Sequence, residues 1–154
     1  MEELPPNAGS NLPELAEQLY RAALSLVRQG EFAPGIDALE RSLAIYQQRA
    51  EQGPRDYLHE RAQVGLVLGE CYRVTKRAQE AILSLGESLK ILRQLAVDHP
   101  DHYLRGVAMN LVDLALAHGN IGQENEAETL FLEAVNIYRR LAGSNQFRSS
   151  GLHG

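Results

Sequence analysis

The chain has no tryptophan, one cysteine and only 6% aromatic residues. A lone Cys71 excludes an internal disulfide and any zinc site built from several cysteines, and it fits a reducing compartment. Charges or glycines interrupt every apolar stretch well short of the ~18 residues that a membrane span needs, so no membrane association is expected. Met1 to Asn11 is acidic and lacks the apolar core of a secretory signal. Runs of Val, Ile and Thr with strand character are missing as well. No long segment accumulates positive charge: the net charge is −5, with acids and bases spread evenly along the chain. Nothing would therefore neutralise a run of phosphates, and nucleic acid is not an expected partner. These absences together predict a soluble, cytoplasmic protein.

What is present favours helix. Glu, Leu, Ala, Gln and Arg dominate, all of them good helix formers. The segment that begins Ser42-Leu-Ala-Ile-Tyr recurs as Ser88-Leu-Lys-Ile-Leu and again as Ala134-Val-Asn-Ile-Tyr, each step being 46 residues. The same offset aligns Pro54 with Pro100 and Tyr57 with Tyr103. It also aligns Ala23 with Gly69 and Ala115, and Leu39 with Leu85 and Phe131. Three copies match without a gap, so the chain reads as an internal repeat.

Each copy predicts two helices. The first helices are expected at 12–29, 56–74 and 101–118, the second at 33–51, 78–97 and 124–142. Leu19, Ala22, Ala23 and Leu26 show the helical spacing i, i+3, i+4, i+7, as do Gly65, Leu68, Gly69 and Tyr72. Gly30 and Gly122 mark hairpin turns, while Gly53-Pro54 and His99-Pro100 separate the copies. The middle hairpin carries Lys76 where the other two carry glycine. The resulting division is a flexible leader at 1–11, repeats at 12–55, 56–100 and 101–142, and a flexible tail at 143–154.

On these residues the chain resembles the tetratricopeptide repeat. The third copy supplies Leu111, Leu114-Ala115, Ala127, Phe131 and Ala134, and the second supplies Leu68-Gly69, Tyr72, Ala81, Leu85 and Ser88. The first copy supplies Leu19, Ala22-Ala23, Leu26, Leu39 and Ser42, with Gly35 at the alanine position. The proline that ends the usual unit is replaced by Gln47, Arg93 and Arg139, so the helices run on. This is similar to the longer-helix variety of kinesin light chains and bacterial signalling proteins. The resemblance implies an all-α, right-handed superhelical solenoid of three hairpins, with no catalytic residues, no cofactor and a protein or peptide partner. It further implies that the first helices line a concave groove. The partner-contacting positions then fall on Glu17, Tyr20, Leu24, Val27 and Arg28, on Gln63, Leu66, Glu70, Arg73 and Val74, and on Met109, Val112, Leu116 and Asn120. Many of these are apolar, although a solvated face should be polar. The competing expectation is that the row is buried between long helices. The carboxylate clamp of some family members is not matched, because its positions hold Tyr20, Leu24, Val67, Met109 and Asp113.

Other candidates carry plainer readings. No phosphate-binding glycine loop, nucleophile elbow or paired-histidine helix motif is present. Cys71 aligns with Ser25 and Ala117, which predicts core packing rather than a reactive thiol. His99 and His102 flank a loop with no second ligand pair, so no metal is expected; His118 aligns with Leu26 and Tyr72 and is expected as a packed, hydrogen-bonded core histidine. Arg73, Lys76 and Arg77 form the one local basic cluster, read as a solvated turn or a small grip on an anion. Residues 124–142 keep Leu130, Phe131, Val135, Tyr138 and Leu141 with nothing evident to cover them. That face implies either a longer array or self-association, such as a homodimer through 124–142.

Overall fold

The computed structural model describes residues 11–151, with side chains through residue 144. They form six helices and, among the described residues, no strand: α1 (Leu12–Arg28), α2 (Phe32–Gln52), α3 (Leu58–Val74), α4 (Ala78–Asp98), α5 (Pro100–Asn120) and α6 (Glu124–Gly151). They pair as three hairpins. Each helix packs on its neighbours in sequence, and α3 also touches α5.

The hairpins are closed by one device used three times. At the end of α1 the Glu31 amide donates to the Leu26 carbonyl and the Gly30 amide to Val27. Arg77 to Tyr72 with Lys76 to Arg73, and Gln123 to His118 with Gly122 to Gly119, repeat the pair at the ends of α3 and α5. This is the Schellman arrangement, which needs a left-handed residue after the helix. Gly30 and Gly122 take it at φ +80°, and Lys76 takes it at φ +66° despite its side chain. The middle turn therefore has the same geometry as the other two.

Packing within a hairpin follows the same register. The Ser42 hydroxyl donates to the Ala16 carbonyl at 2.7 Å, and Ser88 donates to Ala62 at 2.6 Å. In the third copy a buried Ala134 replaces the serine, while Ala108 keeps the alanine of the acceptor position. Gly69 sits where a Cβ would stand 2.4 Å from Leu85 Cγ. Its counterparts Ala23 and Ala115 are fully buried, so this position admits only the smallest side chains.

Three boundaries differ from expectation. The helix α6 runs on to Gly151, so residues 143–151 are helical rather than a flexible tail. Gly143 costs a helix about 1 kcal/mol but does not end it, and no proline follows. Of the expected leader and tail, residues 1–10 and 152–154 lie outside the described residues. The first two copies also join differently from the last two. Pro100 opens α5 directly, whereas residues 54–57 form a turn in which Tyr57 is left-handed at φ +59°. Tyr57 then meets Tyr46 at a ring separation of 5.4 Å.

Candidate functional site

The residues expected to contact a partner lie along α1, α3 and α5, and none of them is buried in the core. Glu17, Arg28, Gln63, Glu70, Val74, Met109, Leu116 and Asn120 are exposed. Tyr20, Leu24, Val27, Leu66, Arg73 and Val112 are half-buried. Helical geometry explains why: positions 17, 20, 24 and 28 turn away from Ala16 and Ala23, which face α2. Large apolar side chains thus meet solvent here, with Met109 48%, Val74 46% and Leu116 38% exposed.

This face includes a cleft of about 690 Å³ where α1 stands off from α3. Glu17, Tyr20, Leu24 and Gln63 line it, as expected positions. Tyr46, Tyr57, His59 and Glu60 line it too, and sequence reasoning missed them. Their signal was the Tyr46–Tyr57 pair, which the second junction does not repeat because Leu92 stands opposite Tyr103 in register. The cleft is acidic as well as aromatic. Glu17 pairs with Arg21 at 2.8 Å, while Glu14 and Glu60 add further carboxylates to the wall. Burial raises the Tyr46 phenol above its ordinary pKa, and the carboxylates of Glu60 and Glu17 push it the same way. Tyr20 is raised by burial.

Further along, α3 and α5 are in contact and the face is closed. Arg73 reaches Asp113 at 3.8 Å. Burial raises the Asp113 carboxyl, Glu70 adds to the rise, and Arg73 opposes it. A peptide carboxylate placed there would meet Asp113, with Arg73 already engaged.

The basic cluster comes apart in three dimensions. Arg73 turns to Asp113, and Arg77 grips Glu80 at 2.8 Å with its guanidinium 4.5 Å over the Tyr72 ring. Only Lys76 extends into solvent without a described ion pair, so the three cations do not act as one anion grip. His118 is hydrogen-bonded as expected but does not reach the core. It is half-buried at the end of α5, where Nδ1 pairs with Gln123 Oε1, because the turn at Gly122 brings Gln123 back over it. Cys71 is 2% exposed, and burial, aided by Glu70, pushes its thiol up to about 11. That setting suits packing and not nucleophilic chemistry. His99 and His102 are exposed with ring centroids 6.5 Å apart, and no cluster of three or more metal-ligating side chains occurs among the described residues. No helix among them is long and apolar enough to cross a membrane.

A family model for the tetratricopeptide repeat matches residues 107–147, which cover most of the third hairpin. No curated protein matches the chain significantly. The repeat generally serves protein–protein interaction and is generally not catalytic. Residues 107–147 are thus similar to the tetratricopeptide repeat, and the first two hairpins share the third's 46-residue register, left-handed turn and small-residue contacts.

Proposed function

We propose that the chain is a docking module that binds a peptide or partner helix along the face of α1, α3 and α5. The observation behind this reading is that Val74, Met109 and Leu116 on that face are exposed, while Tyr20, Leu24, Leu66 and Val112 beside them are only half-buried. A partner helix laid across Leu24, Leu66, Val112 and Leu116 would remove apolar area from water at ~25 cal/mol per Å². The cleft between α1 and α3 favours a particular side chain there. Its tyrosines and carboxylates suit the aliphatic stem and cationic head of a lysine or arginine.

The test begins with selection of a displayed library of amphipathic peptides on the intact chain. Binding of an enriched peptide is then measured for Leu66→Glu and Leu116→Glu. Each should weaken binding at least ~tenfold, about 1.4 kcal/mol, with helicity retained. Enriched peptides should carry a basic residue, and replacing it with glutamine should cost affinity. Undiminished binding to both variants, with loss on Lys90→Glu of α4, would move the site to the opposite face.

A further inference from the structure

The junction between the first two hairpins holds a hollow of about 340 Å³ between α2 and α4, with α3 as its floor. The junction between the last two shows how such a space is filled. There the fully buried Leu111 and the half-buried Leu130 stand where the 46-residue register sets Gly65 and Ser84. A hollow exists at that junction too, but it lies beside Leu104 and Val107 and does not take in the Leu111 position. Arg93 and Glu133 also join α4 to α6 there by hydrogen bonds of 2.6 and 3.1 Å. The same positions at the first junction are Gln47 and Glu87, and among the described residues no ion pair joins α2 to α4. Two smaller residues and one absent bridge thus leave the first junction open.

Most polar groups in the wall of this hollow are already engaged. Ser84 donates to the Gly65 carbonyl at 2.8 Å and Ser88 to the Ala62 carbonyl at 2.6 Å. The Tyr72 hydroxyl donates to Glu40, and Glu80 is held by Arg77. Arg61 and Glu87 stand apart, because neither belongs to an ion pair among the described residues. Arg61 is half-buried; its Nη1 reaches the Pro54 carbonyl only at 3.4 Å, and its buried Nε has no hydrogen-bond partner. Val107 fills the same position at the second junction, so the packing of the array does not itself need a cation there. An unpaired guanidinium in a partly buried setting is costly, and a carboxylate beside it would offset that cost. Glu87, exposed on the rim, would repel a simple anion. A molecule with a positive charge next to its carboxylate satisfies both residues.

We propose that this hollow binds a free aliphatic α-amino acid. Its carboxylate pairs with Arg61, its ammonium faces Glu87, and its side chain lies over Gly65, in the place that Leu111 fills at the second junction. The dimensions suit so short a molecule: Gly65 is one helical turn from Arg61, ~6 Å along α3. Leu43, Leu68 and Ile91 supply the apolar wall. The volume falls at the small end of ligand sites, which run from ~300 to ~1,000 Å³. The site is separate from the docking face, because 61, 65, 68 and 72 lie on the opposite side of α3 from 63, 66, 70 and 73.

Titration of the full chain with leucine, followed by NMR, should show saturable one-to-one binding. Isocaproate lacks the ammonium and isopentylamine lacks the carboxylate, and each should bind at least ~tenfold more weakly. Arg61→Gln should weaken leucine by a similar factor while leaving isopentylamine unchanged. Glu87→Gln, at an exposed position, should weaken leucine and bring isocaproate level with it. Ser84→Leu, which introduces the side chain that the second junction carries, should abolish binding with the helical spectrum kept. If that variant does not fold, Glu87→Gln decides alone. No binding of leucine at millimolar concentration overturns the proposal. So does isocaproate binding the wild type as tightly as leucine, which would mean a plain carboxylate site. Leucine binding that survives Arg61→Gln or a folded Ser84→Leu also overturns it, by placing the ligand elsewhere.

Discussion

Replacing Asn110 with valine is expected to stabilise the protein. Asn110 lies on α5, is fully buried, and neither its Nδ2 nor its Oδ1 has a hydrogen-bond partner among the described residues. Leaving a buried polar group unpaired costs about 1–3 kcal/mol, and an apolar side chain of similar shape removes that cost. The register supplies the replacement, because Val64 holds the equivalent position on α3 at 1% exposure. Asparagine and valine have similar helix propensity, so the backbone term nearly cancels. The net gain should be about 1–3 kcal/mol, or roughly 3–10 °C in Tm at ~2–4 °C per kcal/mol for a chain of this size. Thermal and urea unfolding followed by circular dichroism would measure it. Asn110→Ala is the control: it removes the same polar atoms but opens a cavity, so it should gain less or lose stability. A fall in stability for Asn110→Val would show that the amide is paired in solution, and the reasoning would fail.

Four further outcomes can be checked. Lys76→Gly should stabilise by about 1 kcal/mol, because the left-handed turn strains any residue with a Cβ; unchanged urea midpoints would contradict the φ of +66°. Gly69→Leu should destabilise by at least ~1–3 kcal/mol through overpacking against Leu85, and Ala115→Leu should behave alike; neutral results would break the 46-residue register. Cys71 should react with a thiol reagent only as the protein unfolds. Its folded pKa is raised, so the unfolded chain releases the thiol proton first, and stability should fall as pH rises from about 9 to about 11. Cys71→Ser should abolish that part of the pH dependence, and an unchanged slope would refute the assignment.

The hairpins were legible because their information is local and repeated. Small residues at Ala23, Gly69 and Ala115 and turns at Gly30 and Gly122 recur at a fixed interval, and each needs only its own hairpin to be satisfied. The Lys76 turn was the least legible of the three, because a side chain stands where the left-handed backbone normally calls for glycine. The groove positions came from family resemblance; none of them is fully buried, and Tyr20, Val27, Leu66 and Val112 pack partly against the core. What was not legible depended on distance in space. Pro54 and Pro100 look equivalent, yet only Pro100 starts a helix, because Tyr57 turns the chain and packs on Tyr46. The cleft that follows is assembled from α1, α2, α3 and the turn between the last two, and no periodicity encodes a gap. Arg73 and Arg77 look like one cluster in sequence, but their partners Asp113 and Glu80 lie in different directions. The run of α6 past Gly143 was not legible either, because one glycine costs a helix only about 1 kcal/mol and does not fix where it ends.

The cleft between α1 and α3 also has a mechanical consequence. Along the rest of the array, neighbouring hairpins hold each other at two levels: α4 seats α5, and α3 leans on α5 through Arg73 and Asp113. The first hairpin is held mainly at one level, where α2 seats α3, and that seam is the less extensive of the two. A load drawn through the N-terminus would therefore peel the first hairpin away as a unit before it strained the second, because the stiffness of a linear stack is set by its thinnest seam. By this argument the array should respond to load less like a uniform rod than like a two-hairpin block with one looser hairpin at its N-terminal side.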